Sequence, residues 1–211
     1  MATPRDIRAY AGAGVSSPGL RFSSTEMKHL VIGVILGSAV GLSFLGPAVF
    51  PDVMAVVAAV LFFTAGFIIH ELAHKTVAQR YGLWAEFRLD MFGAALTLLS
   101  AVSPLKIIAP GAVVIAGNTS QDRVGRTAVA GPITNVLLAL LLLALSQVVP
   151  FSGLTYAMLA GAAINAFMAL FNLIPFGVLD GLKVFRWSKS VWIILFALAA
   201  VSTALSYLQV F

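Results

Sequence analysis

Five long apolar stretches, separated by short polar connections, constrain this chain more than any other feature. A helix needs roughly 20 apolar residues to cross a bilayer, and each stretch is about that long. They cover Leu30–Phe50, Val53 to about Ala78, Val124–Val149, Leu154 to about Leu173, and Val191–Phe211. Only 10% of the 211 residues are charged, whereas soluble domains carry about a quarter. The sequence therefore predicts an all-α polytopic integral membrane protein with five to six transmembrane helices.

The basic residues predict how the chain is oriented in the bilayer. The 13 Lys and Arg residues lie before the first stretch, after the second and before the last, and the connections at 51–52 and 150–153 contain none. Cytosolic loops carry the excess of Lys and Arg, so we expect a cytosolic N-terminus. The net charge of +5 then reflects topology, and we expect no nucleic-acid partner. Because no targeting signal is recognisable, we expect a prokaryotic plasma membrane.

The composition divides the chain into a tail and one membrane domain. Residues 1–27 contain Gly, Pro, Ser and charged residues without helical periodicity, which indicates a flexible cytosolic tail. Residues 28–211 then form a single transmembrane domain, whose core is expected at 53–187.

The connection at 84–118 is the least regular part of this domain. Its apolar runs, Ala94–Leu99 and Ile107–Ala116, are short and are interrupted or separated by proline, so neither can span the bilayer. Val and Ile favour strands. We therefore expect extended segments here, which form a small membrane-associated β-sheet on the cytosolic side.

The second apolar stretch contains an H-E-x-x-H pattern, His70-Glu71-Leu72-Ala73-His74. On a helix, residues four apart face the same way, so both imidazoles can hold one metal ion. Zinc acidifies water, and the adjacent Glu71 carboxylate can accept the proton as a general base. The chain contains no cysteine, so the other ligands must be imidazole or carboxylate. One zinc per chain is the preferred assignment, although these ligand types also suit other metals.

A third ligand must be sought among acids at membrane depth. A charge in the hydrocarbon region costs about 2.5–3.5 kcal/mol and therefore marks a functional site. Of the eight acidic residues, only Glu71 and Asp180 lie within or beside apolar stretches, and the others lie in predicted tails, turns or loops. A catalytic zinc takes three protein ligands, so Asp180 is the candidate. Pro175 and Gly177 would break a helix just before it, as in segments that line a site.

These residues resemble the motifs of the site-2 protease family of intramembrane zinc metalloproteases. That family pairs H-E-x-x-H with N-x-x-P-x-x-x-L-D-G, and both patterns are complete here, at His70–His74 and Asn172–Gly181. A third family pattern, G-P-x-x-N, matches Gly131-Pro132-Ile133-Thr134-Asn135. The resemblance covers about residues 53–187 and implies a minimal member of the family without a PDZ domain.

The resemblance also implies roles for individual residues. It implies that His70, His74 and Asp180 bind zinc and that Glu71 acts as the general base. It implies supporting roles near the substrate for Asn135 and Asn172. An amide N–H could stabilise an oxyanion, and an equal alternative is hydrogen bonding between helices, worth about 0.6 kcal/mol on average. We assign only packing to Asn165, one heptad before Asn172.

The predicted enzyme would hydrolyse a peptide bond within or near the transmembrane segment of membrane-protein substrates. A substrate helix shields its peptide bonds, so unwinding must precede cleavage. The predicted sheet could hold the opened segment as an added strand. Lys75 lies about 7.5 Å past His70 along a helix, which places the site in the cytosolic half of the bilayer. We therefore expect cleavage near the cytosolic ends of substrate helices.

Two other functions are alternatives to proteolysis. A non-catalytic relative that binds membrane proteins would be indicated by loss of Glu71 or a ligand, and all of these residues are present. An ion or proton transporter could use intramembrane acids as a relay. It would predict inverted repeats or paired broken helices, whereas only one convincing broken segment is evident.

Overall fold

The computed structural model describes residues 20–44, 52–103, 106–150 and 152–210. Within these ranges the chain forms helices and a pair of strands, in this order: α1 (Ser24–Phe44), α2 (Val53–Arg80), β1 (Trp84–Leu89), α3 (Met91–Ala101), β2 (Gly111–Ala116), α4 (Gln121–Ser146), α5 (Ser152–Asn172), α6 (Asp180–Trp187) and α7 (Lys189–Val210). In the described part of the chain, 5 helices are long and apolar enough to cross a membrane, namely α1, α2, α4, α5 and α7. The predicted all-α polytopic class is confirmed.

The start of the first span differs from its prediction. Helix α1 begins at Ser24 rather than Leu30, so residues 24–27 of the predicted tail are helical. The local reason is Ser23, whose Oγ accepts the backbone N–H of Glu26 at 3.1 Å and so caps the helix. Glu26 was assigned to the tail and is instead 1% exposed. Residues 1–19 of the predicted tail and 45–50 of the predicted span lie outside the described residues.

The connection between α2 and α4 contains the predicted sheet and a helix that was not predicted. β1 and β2 pair antiparallel, with Trp84 opposite Ala116 and Leu89 opposite Gly111. The expectation of an extended Ala94–Leu99 is wrong, because these residues lie within α3. Ala and Leu are strong helix formers, and Asp90 caps the helix by accepting the Gly93 N–H at 2.7 Å. Of the two apolar runs, only the second, which contains valine, forms a strand, and that strand is β2.

Helix α5 is the centre of the bundle and contacts α2, α4 and α7. On the other side of α2, helix α1 packs against α2, α3 and β1. Phenylalanines join these parts in one buried cluster, in which Phe63 and Phe67 of α2 meet Phe87 of β1 and Ile164 of α5. Helix α2 is therefore held from both sides, which fixes the orientation of its H-E-x-x-H face.

The predicted helix break before Asp180 is confirmed. Helix α5 ends at Asn172 and α6 begins at Asp180, and Gly177 in the connection has a φ of 60°. The freed carbonyl of Leu173 accepts the Trp192 Nε1–H of α7 at 2.7 Å. Gly181 is required for a close approach, since a Cβ there would collide with the Leu173 carbonyl. These contacts hold the start of α6 against the end of α5 and carry Asp180 towards α2.

Candidate metal centre

The structure brings His70, His74 and Asp180 together, although the carboxylate comes from a different helix. The Nε2 atoms of the two histidines lie 3.1 Å apart. Asp180 Oδ2 lies 2.9 Å from His74 Nε2 and 3.6 Å from His70 Nε2. All three residues are buried, with exposed fractions of 4%, 6% and 9%. Among the described residues this is the group whose ligand atoms could hold a metal ion.

The spacing of these three atoms fits a zinc ion. Bonds of about 2.0–2.1 Å in a tetrahedron put neighbouring ligand atoms about 3.4 Å apart. The observed separations of 3.1, 2.9 and 3.6 Å scatter around that value. Three protein ligands would leave one position of the tetrahedron open, as in catalytic zinc sites.

The hydrogen bonds of the imidazoles give the site the chemistry of a cation site. His74 Nδ1 lies 2.7 Å from the Thr127 carbonyl oxygen of α4, and a carbonyl can only accept. His70 Nδ1 faces Asn135 Oδ1, also of α4. Each Nδ1 therefore carries a hydrogen, and in the neutral imidazole each Nε2 then has a lone pair that can bind a metal. Two such lone pairs and a carboxylate oxygen that converge on one point form a donor set suited to a metal ion.

Helix α4 can approach this point because Gly131 has no side chain. A Cβ at position 131 would collide with the Nε2 atoms of both His74 and His70, where the metal ligands converge. Gly131 belongs to the G-P-x-x-N pattern, and the next residue, Pro132, lies within α4. The pattern thus combines space for the metal site with a helix that supplies Asn135 one turn later.

Glu71 faces a small cavity beside the metal ligands. The cavity measures about 20 Å³, enough for one water molecule, and its lining includes His70, Glu71, Gly111 and Asn172. The backbone N–H of Val113 in β2 lies near the Glu71 carboxylate. Glu71 Oε2 is buried and has no hydrogen-bond partner in the described part of the chain. Buried polar atoms are rarely left unpaired, so this oxygen is available to a water molecule or a substrate.

The two predicted supporting asparagines occupy different places. Asn172 lines the cavity, and its Nδ2 donates to the Met168 carbonyl at 3.0 Å. Asn135 lies behind His70, and its Nδ2 donates to the Gly66 carbonyl at 3.2 Å and to Asn165 Oδ1 at 2.9 Å. Both N–H groups of Asn135 are therefore engaged between helices, and its oxygen orients His70.

Sequence reasoning missed Gly66 and the hydrogen bonds of Asn165. Asn165 is fully buried and bonds to Asn135 and to two backbone carbonyls. Gly66 lies opposite it, and a Cβ there would collide with Asn165 Oδ1. The available signal was the depth of Asn165 in an apolar stretch, because a buried amide requires hydrogen-bond partners.

Comparison with known proteins identifies a metalloprotease relative. The chain is 37% identical over 177 residues to a protein of Methanocaldococcus jannaschii named "Putative zinc metalloprotease MJ0611". The match covers 82% of this chain and 90% of the relative. No protein-family model matches the sequence, and no solved structure matches it.

Proposed function

The chain belongs to the zinc metalloprotease family of its Methanocaldococcus jannaschii relative, and from that premise we propose that it is an intramembrane protease of the site-2 type. The observation that carries the proposal is the buried, unpartnered Glu71 Oε2, seen within the described residues beside three converging metal-ligand atoms. Glu71 and two of the three ligands lie on α2, a helix apolar enough to cross a membrane. The reaction is the hydrolysis of a peptide bond within or near a substrate's transmembrane segment.

The proposed mechanism assigns one task to each residue of the site. One zinc ion would be held by His70, His74 and Asp180. Bound there, it would act as a Lewis acid that lowers the pKa of water and polarises a carbonyl group. Glu71 takes the proton of the attacking water and returns it to the leaving amine. Asn172, which lines the same cavity, supports the oxyanion of the substrate through its amide N–H.

The free edge of the sheet is the proposed binding place for the opened substrate. On β1, the outward N–H groups of Phe87 and Leu89 already donate to Glu26 Oε1 at 3.0 Å and His29 Nδ1 at 3.2 Å. Phe87 pairs with Val113, so the Val113 N–H points outwards from the opposite edge. That edge faces the cavity and is suited to an added strand. The cavity has room for one water molecule and is too small for a peptide, so the surrounding elements must separate to admit a substrate.

The proposed orientation follows from the basic residues. With the N-terminus in the cytosol, the end of α2 and the sheet lie on the cytosolic side of a prokaryotic plasma membrane. Cleavage is then expected near the cytosolic ends of substrate helices. The proposed partners of the protein are these membrane-protein substrates and the lipid bilayer.

The decisive experiment compares the wild type with Glu71→Gln in vesicles that contain a single-span substrate. The substrate carries Asn-Pro in the cytosolic end of its helix to ease unwinding, and an all-leucine helix serves as the matched control. We expect the zinc-loaded wild type to cut the first substrate. Glu71→Gln should bind zinc as well as the wild type, but its cleavage rate should be at least about 100-fold lower, which is the scale of general acid–base catalysis. Zinc binding without cleavage by the wild type would instead favour a non-catalytic relative that binds membrane proteins.

The strand-edge proposal has its own test. Ile115 follows Val113 on the same edge, and Ile115→Pro removes an outward N–H without removing a bond to β1. The loss of one hydrogen bond, about 1 kcal/mol, should slow cleavage about fivefold. Ile115→Ala keeps the N–H and is the control, so equal rates for the two variants would contradict strand addition.

A further inference from the structure

A chain of side-chain amides connects the middle of the bundle to a metal ligand. Asn165 of α5 accepts from Asn135 of α4, which in turn accepts from His70 of α2. Asn165 and Asn135 are both 0% exposed. Asn165 lies neither in the cavity beside Glu71 nor among the ligand atoms. The chain therefore reaches the metal site from behind, through three helices.

Backbone carbonyls set the direction of the hydrogen bonds in this chain, two of them at Asn165 and a third, that of Gly66, at Asn135. Asn165 Nδ2 donates to the carbonyls of Phe62 at 3.3 Å and Gly161 at 2.8 Å. Carbonyl oxygens can only accept, so the Asn165 amide must present its nitrogen to them and its oxygen to Asn135. Asn135 must then turn its nitrogen towards Asn165, and its oxygen faces His70.

The same direction reaches the imidazole. Since Asn135 Oδ1 can only accept, His70 Nδ1 must carry the hydrogen, and Nε2 keeps the lone pair that a metal needs. Gly66 supports the arrangement twice, because its carbonyl accepts the other Asn135 N–H at 3.2 Å and its missing Cβ leaves space for Asn165. His74 differs, since a backbone carbonyl, that of Thr127, fixes its tautomer directly.

We propose that Asn165 is a positioning residue that fixes the tautomer of His70 and so prepares its Nε2 for the metal. The proposal rests on the metal site of the proposed function and adds a residue that touches neither metal nor substrate. An apolar residue at position 165 removes the acceptor of Asn135. The Asn135 amide then keeps one acceptor, the Gly66 carbonyl at 3.2 Å, in place of two. It turns its nitrogen towards His70 in a larger fraction of molecules, and in that fraction the imidazole hydrogen lies on Nε2 and blocks that ligand atom.

Two substitutions separate this role from a purely structural one. Asn165→Leu removes both the acceptor and the donors. Asn165→Asp keeps an oxygen towards Asn135 but loses the NH2 that donates to Phe62 and Gly161, so it lowers stability and keeps the direction of the chain. Ser38→Ala is the control, because it removes a contact between α1 and α2, the 3.4 Å approach to Thr64 Oγ1, that does not reach the site.

The test measures the tautomers of metal-free protein by 15N NMR with labelled histidine, and zinc affinity by competition with a chelator. The chain contains only three histidines, so their signals can be assigned by substitution. We expect the wild type and Asn165→Asp to show His70 with hydrogen on Nδ1, and Asn165→Leu to show a measurably larger fraction of His70 with hydrogen on Nε2. Zinc affinity should fall about 10–100-fold in Asn165→Leu, the range for residues that orient a ligand, and stay near the wild-type value in Asn165→Asp.

Three results would decide against the proposal or separate it from the proposed function. Unchanged His70 tautomer and zinc affinity in Asn165→Leu would overturn it, as would an equal tautomer change in Asn165→Asp. If the leucine variant does not fold, Asn165→Ser removes the amide acceptor without apolar bulk and carries the same expectation. A wild type that binds no zinc, together with the tautomer change in Asn165→Leu, would refute the metal site and support the positioning role.

Discussion

Helix α2 carries two buried polar clusters on neighbouring turns, and they differ in whether their charges are balanced from within. The metal cluster comprises His70, Glu71, His74 and Asp180. The ion-pair cluster comprises Glu26 and Lys75, whose Oε2 and Nζ lie 2.5 Å apart. Both members of the ion pair are 1% exposed, and the other Glu26 oxygen accepts the Phe87 N–H.

The comparison separates burial of charge for structure from burial of charge for function. A buried charge is tolerated when a partner and hydrogen bonds satisfy it, and the ion-pair cluster meets both conditions with groups of the chain itself. The metal cluster meets them only in part. Lys183 Nζ lies 3.0 Å from Asp180 Oδ1, but three ligand atoms still converge and, in the described ranges, Glu71 Oε2 has no partner. The ion-pair cluster joins α1, α2 and β1, whereas we expect a metal ion and a water molecule to complete the metal cluster.

The largest expected effect comes from breaking the ion-pair cluster. Lys75→Met leaves the Glu26 carboxylate buried without its partner, and such a loss costs about 3–5 kcal/mol. We expect the free energy of unfolding in mixed detergent micelles to fall by about that amount, whereas zinc bound per folded chain stays at the wild-type level.

The control for this prediction removes both charges. Glu26→Gln combined with Lys75→Met leaves no uncompensated charge, and the amide oxygen of the substituted side chain still accepts the Phe87 N–H. The paired variant should therefore recover most of the lost stability. Parallel losses of zinc and stability in Lys75→Met alone would show that the two clusters act as one.

The next largest effect is expected from a substitution that removes one ligand atom from the metal cluster. Asp180→Ala should weaken zinc binding by more than about a hundredfold, because even residues behind the ligands contribute about 10–100-fold. The thermal midpoint of the metal-free protein should change little, because the substitution removes one of three converging ligand atoms but also the ion pair of Asp180 with the partly exposed Lys183. Metal content and thermal unfolding of the same detergent-purified samples check both expectations. Wild-type zinc affinity in this variant would exclude Asp180 as a ligand.

The smallest effect is expected at an ordinary polar contact between two helices, which serves as the baseline for both clusters. Ser38 and Thr64 join α1 and α2 through hydroxyl groups 3.4 Å apart. A hydrogen bond between membrane helices contributes about 0.6 kcal/mol on average, so Ser38→Ala should lower stability by about that amount and leave zinc binding unchanged. A loss as large as that of Lys75→Met would mean that any polar contact in the bundle is equally sensitive, and the distinction between the clusters would fail.

The predictions that the structure confirmed rest on local patterns. Membrane-spanning helices were found from apolar length, and the break before Asp180 was found from Pro175 and Gly177, whose backbone restrictions act within a few residues. His70 and His74 were predicted to share one metal ion because a helix fixes the direction of residues four apart. The structure places their Nε2 atoms 3.1 Å apart, and the metal itself stays a prediction. The structure brings Asp180 to them, as its depth in an apolar segment indicated.

The predictions that were wrong or incomplete concern partners far apart in the chain. Glu26 was placed in a polar tail, since nothing near it shows that its partner is Lys75 of another helix. The run Ala94–Leu99 was read as extended because its neighbour is rich in Val, although its own residues favour a helix. Asn165 was assigned only packing, because the direction of an amide depends on carbonyls that other residues place around it.

The sequence by itself determined that the chain is an α-helical membrane protein and which side chains could hold a metal. Hydropathy and helical periodicity are patterns that extend over about 20 residues or fewer, so they can be recognised without knowledge of the tertiary structure. Only the tertiary structure decided that three ligand atoms from α2 and α6 lie 2.9–3.6 Å apart. It also decided which asparagine orients His70 and that Lys75 is balanced by Glu26. Those outcomes depend on how closely helices approach at Gly66 and Gly131, because hydrogen bonds and ion pairs act over a few ångströms between residues distant in the chain.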